Sequence, residues 1–316
     1  MTQTASPPVR DRTGGPPPRR RPLERRDRPL WMLAPGAVLT ALVVLVPLVL
    51  VVYMSLTDLD QYTLRHWTEA PFIGFSNYAE ALIESPLLSS IGISVSTAAL
   101  VCVISLPIGV TAAIAMQNRF PARGLVRSLF LIPYVLPAFA VGAMWRTIFK
   151  PDGVANGVLG HLGLAGPLWL NGPASYWVLV AVEAWSAWPF VYLLTLAALQ
   201  SVTKEVHEAA AIDGARWWAK LTRVILPQIA GSVALSMVIS FLHSVNNFSV
   251  PYVLFSLPAP AGVQVLPLLT YTQSFQSFRF GLSAATAVAS LVIVAIPLLV
   301  YLRALRLDVG EKEGAR

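Results

Sequence analysis

The sequence is short of charge and almost without cysteine. Asp, Glu, Lys and Arg make up only 12% of its 316 residues, against roughly 25% in an ordinary soluble domain. A chain with so few charges cannot cover a soluble surface, and this excludes the common globular classes. The single cysteine, Cys102, excludes an internal disulfide. It sits in an apolar run and reads as a small residue facing a neighbouring helix. No Cys/His spacing suggests a metal site. No G-x-x-x-x-G-K-[ST] phosphate loop occurs, and no nucleophile–base pair stands out. The chain therefore reads as non-catalytic, with no cofactor of its own.

What is present is apolar sequence. Hydrophobic residues reach 55% and the mean hydropathy is +0.63. A bilayer-spanning helix needs about 20 such residues. Six stretches qualify, near residues 30–56, 89–116, 126–148, 174–199, 229–250 and 280–302. Pro47, Pro107, Pro133, Pro137, Pro189 and Pro297 fall inside them, which membrane bundles tolerate. The fold class is therefore all-α and polytopic. Residues 1–29 hold eight Arg, three acids and seven Pro, a composition that cannot bury a core and predicts a disordered tail. The six-helix domain is assigned to 30–306 and a short C-terminal tail to 307–316. The first apolar run is too long for a signal peptide and lacks a small-residue cleavage site.

The net charge of +7 does not point to nucleic acid, because the cations collect at the ends of apolar segments. Nineteen Lys and Arg lie in the tail, the 117–127 loop, the 200–228 loop and the C-terminus. The other face has Arg65, Arg146, Lys150 and Arg279. The positive-inside rule then places both termini in the cytoplasm of a multi-pass protein of the plasma or inner membrane. The outward loops, 57–88, 150–173 and 251–279, are positioned to rim a pathway.

One cytoplasmic loop is unlike the rest. Residues 208–215 read E-A-A-A-I-D-G-A, and nine residues separate Gly214 from the run V-I-L-P, Val224 to Pro227. A short helix from about Thr203 is predicted, with acids at its start, where the helix dipole favours them. The alanines leave a bare patch that a partner can approach. Gly214 can adopt positive φ and turn the chain. A second helix from Ala215 would carry Arg216, Lys220 and Arg223 on one face, with Pro227 where the fifth span begins. Charge and periodicity alone fit an amphipathic linker on lipid headgroups equally well.

The spacing E-A-A-x-x-D-G-A followed by V-I-L-P resembles the EAA loop of ABC importer permeases. The likeness extends through "FIGFSNY", "LIPYVLPAFAVGAMWRTIFKPDGVAN", "AWSAWPFVYLLTLAALQSVTKEVHEAAAIDGA" and "NNFSVPYVLF". These occur in the order seen in sugar permeases of the maltose, oligosaccharide and glycerol-phosphate type, and the chain is most similar to the larger maltose-type subunit. That resemblance implies a type I importer. A second, usually non-identical permease subunit would share the pathway. Two ABC ATPase subunits would bind ATP and Mg, and an extracellular solute-binding protein would deliver the solute. It also implies that Glu208, Ala209, Ala210, Asp213, Gly214, Ala215 and Pro227 belong to the element that couples to the ATPase. After the fifth span "VLFSLPAPAGVQVLP" replaces the Gly-Gly-Gly-Pro turn of many members, so the outer gate is unusual.

For the solute, sugars require hydrogen-bonding groups and flat apolar faces. The fourth and fifth predicted spans offer both. The resemblance directs attention to Glu183, Ser186 and Phe190 on the fourth, and to Ser240, His243, Ser244 and Asn247 on the fifth. Glu183 is the only acid in any predicted span, and an intramembrane charge is a functional candidate by default. It either bonds to a neighbouring helix or faces the pathway and accepts from solute hydroxyls, the second being favoured. Ordinary packing of Trp185 and Trp188, and helix–helix adhesion by Asn246 and Asn247, are the plain alternatives. A non-sugar solute fits the same loop. An ion-coupled secondary transporter would be expected to show internal repeats or paired intramembrane charges, where only Glu183 and His243 are found. The topology predicts that reporter fusions at Gly74 and Gly262 read as external and those at Gly124 and Gly214 as cytoplasmic. A cytoplasmic signal at Gly262 would break the assignment.

Overall fold

The computed structural model describes residues 33–117, 120–214 and 216–314. The basic tail of residues 1–29, and Ala215 in the loop, lie outside them. Among the described residues the structure is helical, with only two isolated β-bridges, Thr57 to Phe72 and Asp60 to Arg279. The chain divides into two units, one ending at Val49 and one running from Leu50. The first holds most of helix α1 (Ala34–Ser55), an almost wholly aliphatic segment.

The second unit contains the rest. Its long helices are α3 (Leu87–Ala115), α7 (Ser175–Ser201), α9 (Trp217–Val245) and α12 (Phe280–Gly314). Shorter helices are α2 (Ser76–Ile83), α4 (Arg123–Val135), α5 (Ala138–Phe149), α6 (Val154–His161), α8 (Lys204–Ile212), α10 (Ser249–Phe255) and α11 (Leu266–Phe275). Among the described residues five helices are long and apolar enough to cross a membrane, and the bent pair Arg123–Val135 and Ala138–His161 makes a sixth span if counted as one. The predicted outward loops hold α2, α6, α10 and α11 instead of irregular chain.

Two spans differ from expectation, both because of proline. The third is not a continuous helix over 126–148: it breaks after Val135, and the segment Ala138–His161 lies at 93° to Arg123–Val135. Pro137 disfavours the α conformation at the residue before it, and here Leu136 is extended, at φ −66° and ψ 135°. Pro133, one turn earlier, stays inside α4. In the fifth span the opposite happens. Pro227 does not start the helix. The helix begins ten residues earlier at Trp217 and passes through Pro227 by way of a π-type turn over Leu221–Ile225. Widening the turn by one residue relieves the clash between a proline ring and the carbonyl four residues back. Helix α1 uses the same device over Ala41–Leu45, ahead of Pro47. The C-terminal segment assigned as a tail continues α12 as helix to Gly314.

Helices α3 and α7 form the spine, packed along much of their length, with α9 against both. Their contact face is built from small residues. Gly109 is required there: a Cβ would lie 2.7 Å from the Val191 Cβ and 2.9 Å from the Tyr192 backbone nitrogen. Arg123 (Nε, 2.9 Å) and Arg127 (3.1 Å) donate to the Met116 carbonyl at the end of α3, so cations sit where the helix dipole is negative. The other end is tied by polar contacts. Asn77 donates to the Ser55 and Thr57 carbonyls at 3.0 and 2.9 Å. Arg279 forms a two-pronged ion pair with Glu80, and the Glu80 carboxylate holds its guanidinium more firmly protonated than usual. Three apolar clusters fill the bundle. One surrounds Leu179, Leu254 and Leu268, a second Tyr192, Leu199 and Ile225, and a third Leu87, Leu266 and Leu282.

The α3–α7 contact generates a stability prediction. Gly109→Ala overpacks the spine and costs about 1–3 kcal/mol, read as a lower melting temperature of the detergent-solubilised protein. Gly92→Ala on the same helix, where a Cβ meets nothing within 4 Å, leaves the melt unchanged or raises it, since alanine favours helix. Equal melts for the two variants would contradict the close-packed spine.

Candidate functional site

The loop singled out by its spacing folds as two helices at a sharp corner. Helix α8 opens with Glu205, whose carboxyl is held below the usual range by hydrogen bonding from its own backbone N–H and then from the Thr203 hydroxyl. Glu208 pairs with Lys204 at 2.9 Å, one turn back on an exposed face. Ala209 is exposed and Ala210 buried. The Asp213 N–H closes the helix on the Ala209 carbonyl at 3.0 Å. Gly214 then takes φ +66°, the conformation that a glycine at a helix end supplies without strain. Arg216 is extended and α9 starts at Trp217. Sequence reasoning missed the apolar residues around this corner. Ile212 is 87% exposed, Trp217 64% and Trp218 65%. The aromatic pair in a polar loop was the available signal.

Twenty-odd residues further along α9 is a cavity of about 130 Å³ lined by Tyr134, Ser186, Ala187, Phe190, Ile239, Ser240 and His243. It brings together four of the seven residues expected for the solute: Ser186, Phe190, Ser240 and His243. Tyr134, unforeseen, comes from α4, because Pro133 is accommodated one residue before it. Its ring stacks on Phe190, with centroids 5.9 Å apart and planes 25° apart. The Ser240 hydroxyl is buried yet has no hydrogen-bond partner. An unpaired buried hydroxyl is costly, and a ligand hydroxyl in this cavity would satisfy it.

The remaining three residues form a separate group. Glu183 is only 4% exposed and does not line the cavity. Its carboxylate accepts a short hydrogen bond from Ser244, and Asn247 is a further hydrogen-bonding neighbour. Asn247 also accepts from the Val250 N–H at 3.3 Å, just past the end of α9. Glu183 thus joins α7 to α9 in the structure, one turn from Ser186 and Ala187. His243 lies in the cavity lining and not with this group. Among the described residues no group of His, Cys, Asp and Glu could hold a metal ion.

Residues 105–306 match the family described as the binding-protein-dependent transport system inner membrane component. The chain belongs to that family. An inner membrane ABC transporter permease protein of Escherichia coli is 31% identical over 277 residues, covering 85% of this chain and 92% of that one. A trehalose/maltose transport system permease protein of Thermococcus litoralis is 27% identical over 237 residues, covering 74% and 80%. In fold, the chain is similar to one from a bacterial ABC transporter that imports the acidic polysaccharide alginate. There the TM-score is 0.72 at 22% identity, over 86% of this chain and 94% of that one. The chain is a multi-pass membrane transport component, a permease of the ABC importer class.

The contrast between the two serines of α9 is testable in this permease. Ser244→Ala strips a buried carboxyl of its donor and costs about 1–3 kcal/mol, seen as a lower melting temperature. Ser240→Ala removes a hydroxyl that bonds to nothing and leaves stability the same or higher. The reverse order would show that Ser240, not Ser244, carries the structural bond.

Proposed function

We propose that this permease is the sugar-translocating subunit of an ATP-driven importer, coupled through the Glu208–Ala215 loop. The observation that carries the proposal is the continuity of α9. One helix begins beside Gly214, passes Pro227 without a break, and presents Ile239, Ser240 and His243 to the cavity. From Trp217 to His243 it spans about 39 Å at 1.5 Å per residue. A tilt of about 10° applied at the loop that releases the Ser244–Glu183 tie displaces the far end by roughly 7 Å, enough to open or close a cavity of this size.

In this reading the exposed Ile212, Trp217 and Trp218, with Glu208, Ala209 and Ala210, seat the loop on a cytoplasmic ATPase subunit. Two such subunits bind ATP and Mg. The chain itself performs no catalysis and binds no nucleotide. A second, non-identical permease subunit completes the pathway, and an extracellular binding protein delivers the solute. Both termini are cytoplasmic, by the asymmetry of basic residues. Coupling between nucleotide and solute affinities is then reciprocal. The substrate class follows from the cavity, which offers the Tyr134 and Phe190 rings beside Ser186, Ser240 and His243 side chains, and from relatives named for trehalose and maltose transport. Glu183 acts beside the solute by fixing Ser244 and the end of α9.

The corner at Gly214 supplies the test. Nothing crowds a Cβ there, so only backbone strain is at issue. Gly214→Val carries a strain of about 1–3 kcal/mol, and it leaves membrane insertion intact while abolishing transport and solute-stimulated ATP hydrolysis in the assembled complex. Gly214→Asn, which tolerates the left-handed region, retains both. Glu208→Lys lowers ATPase recovery in pull-downs. Wild-type transport by Gly214→Val together with wild-type ATPase recovery by Glu208→Lys would remove the loop from the coupling path.

A further inference from the structure

A second, larger groove lies past the end of α9, against α11 and α12. Its volume is about 460 Å³, more than three times that of the first cavity, and it shares no residue with it. One wall is an aromatic ladder. The centroids of Phe248 and Tyr271 are 5.1 Å apart and those of Tyr271 and Phe275 4.9 Å apart. Phe275 is nevertheless 61% exposed. Polar groups with unused capacity also line the groove. Asn246 donates through Nδ2 to the Leu242 carbonyl at 2.8 Å, which leaves its Oδ1 free to accept. Ser290 makes no hydrogen bond. The Ser274 hydroxyl is shared with Ser283.

This combination selects a class of ligand. An acyl chain has no use for an amide oxygen and a free hydroxyl. A small anion finds no cation in the lining. A pyranose ring has a flat C–H face that stacks on an aromatic ring and equatorial hydroxyls that reach amide and hydroxyl groups at its edge.

The groove also follows on from the first cavity. Ile239 and His243, at i and i+4 on one face of α9, line the first, and Asn246, the residue that ends that helix, lines the second. His243 and Asn246 are about 4.5 Å apart along the axis. The loop that departs from the family pattern leads directly into α11, whose Pro267 lines the groove.

We propose that this groove is a second saccharide subsite. A sugar ring there stacks on Tyr271 and Phe275, hydrogen-bonds to Asn246 and Ser290, and passes along the face of α9 to the first cavity. The proposal rests on the sugar-import reading and extends it to oligosaccharides, since the two subsites in line hold more than one ring.

The experiment uses the full-length permease assembled with its partner subunits in lipid nanodiscs, with Cys102→Ala as background. Ser290→Cys and, separately, His243→Cys are labelled with a hydrophilic methanethiosulfonate reagent, with and without maltotriose or trehalose. We expect Ser290→Cys to react readily and to be protected by maltotriose. Phe275→Ala should weaken that protection about tenfold in saccharide concentration, whereas Phe275→Trp should keep it. Protection of His243→Cys without protection of Ser290→Cys would overturn the second subsite and leave the sugar reading standing. Absence of protection at both positions would overturn both. If Ser290→Cys resists the hydrophilic reagent before any sugar is added, the groove is covered by lipid or by a partner helix, and the subsite is likewise overturned.

Discussion

A peptide group in hydrocarbon has no water to turn to, and the rest of this structure follows from that constraint. Each unsatisfied N–H or C=O at membrane depth costs several kcal/mol, so the chain crosses as helices. Pro107, Pro189 and Pro297 stay within continuous helix, but three other prolines mark a local departure. Ahead of Pro47 and Pro227 the helix widens into a π-type turn and continues. At Pro137 it stops and turns through 93°. These choices decide which segments are continuous: α9 runs unbroken from Trp217 to Val245, and the third span is split in two.

That continuity matters because the bundle is held differently at its two levels. The spine of α3 and α7 is locked by close approach, with Gly109 against Val191 and Tyr192. Such contacts tolerate little sliding, since interiors are packed to crystal density. Helix α9 joins the spine through a polar bond, Ser244 to Glu183, near its far end. At the near end Leu221, Ile225 and Ile229 pack with Tyr192 and Leu199. Helix α9 is thus held against α7 near both of its ends. The corner itself, with Ile212, Trp217 and Trp218 exposed, is where a partner would take hold.

The broken span contributes to the site as well as α9 does. Because α4 ends at Val135, Tyr134 sits in its last turn and stacks on Phe190. A straight helix over 126–148 would have continued the same backbone through this point. The break at Pro137 therefore fixes where the aromatic wall of the first cavity ends, while the unwinding after Val245 sets Asn246 and Phe248 at the mouth of the larger groove.

The sequence by itself determined the class, the apolar segments and the sharp corner at Gly214, because these depend on local quantities. Apolar run length marks the candidate crossings, the E-A-A-x-x-D-G-A spacing marks the loop, and Gly214 can take φ +66° for reasons intrinsic to glycine. Only the tertiary structure decided what each proline does. Pro133, Pro137 and Pro227 look alike in sequence, and whether a helix bends, widens or breaks depends on what can re-satisfy the freed carbonyl. The same holds for the polar residues of α7 and α9. Ser240 and Ser244 are one turn apart on one helix. Ser244 meets a carboxylate across the interface and Ser240 meets a cavity, because the angle at which α9 crosses α7 places the two positions against different neighbours. Glu183 was legible as an intramembrane acid, but its burial against Ser244 was not, since that requires knowing which face of α7 the second helix covers.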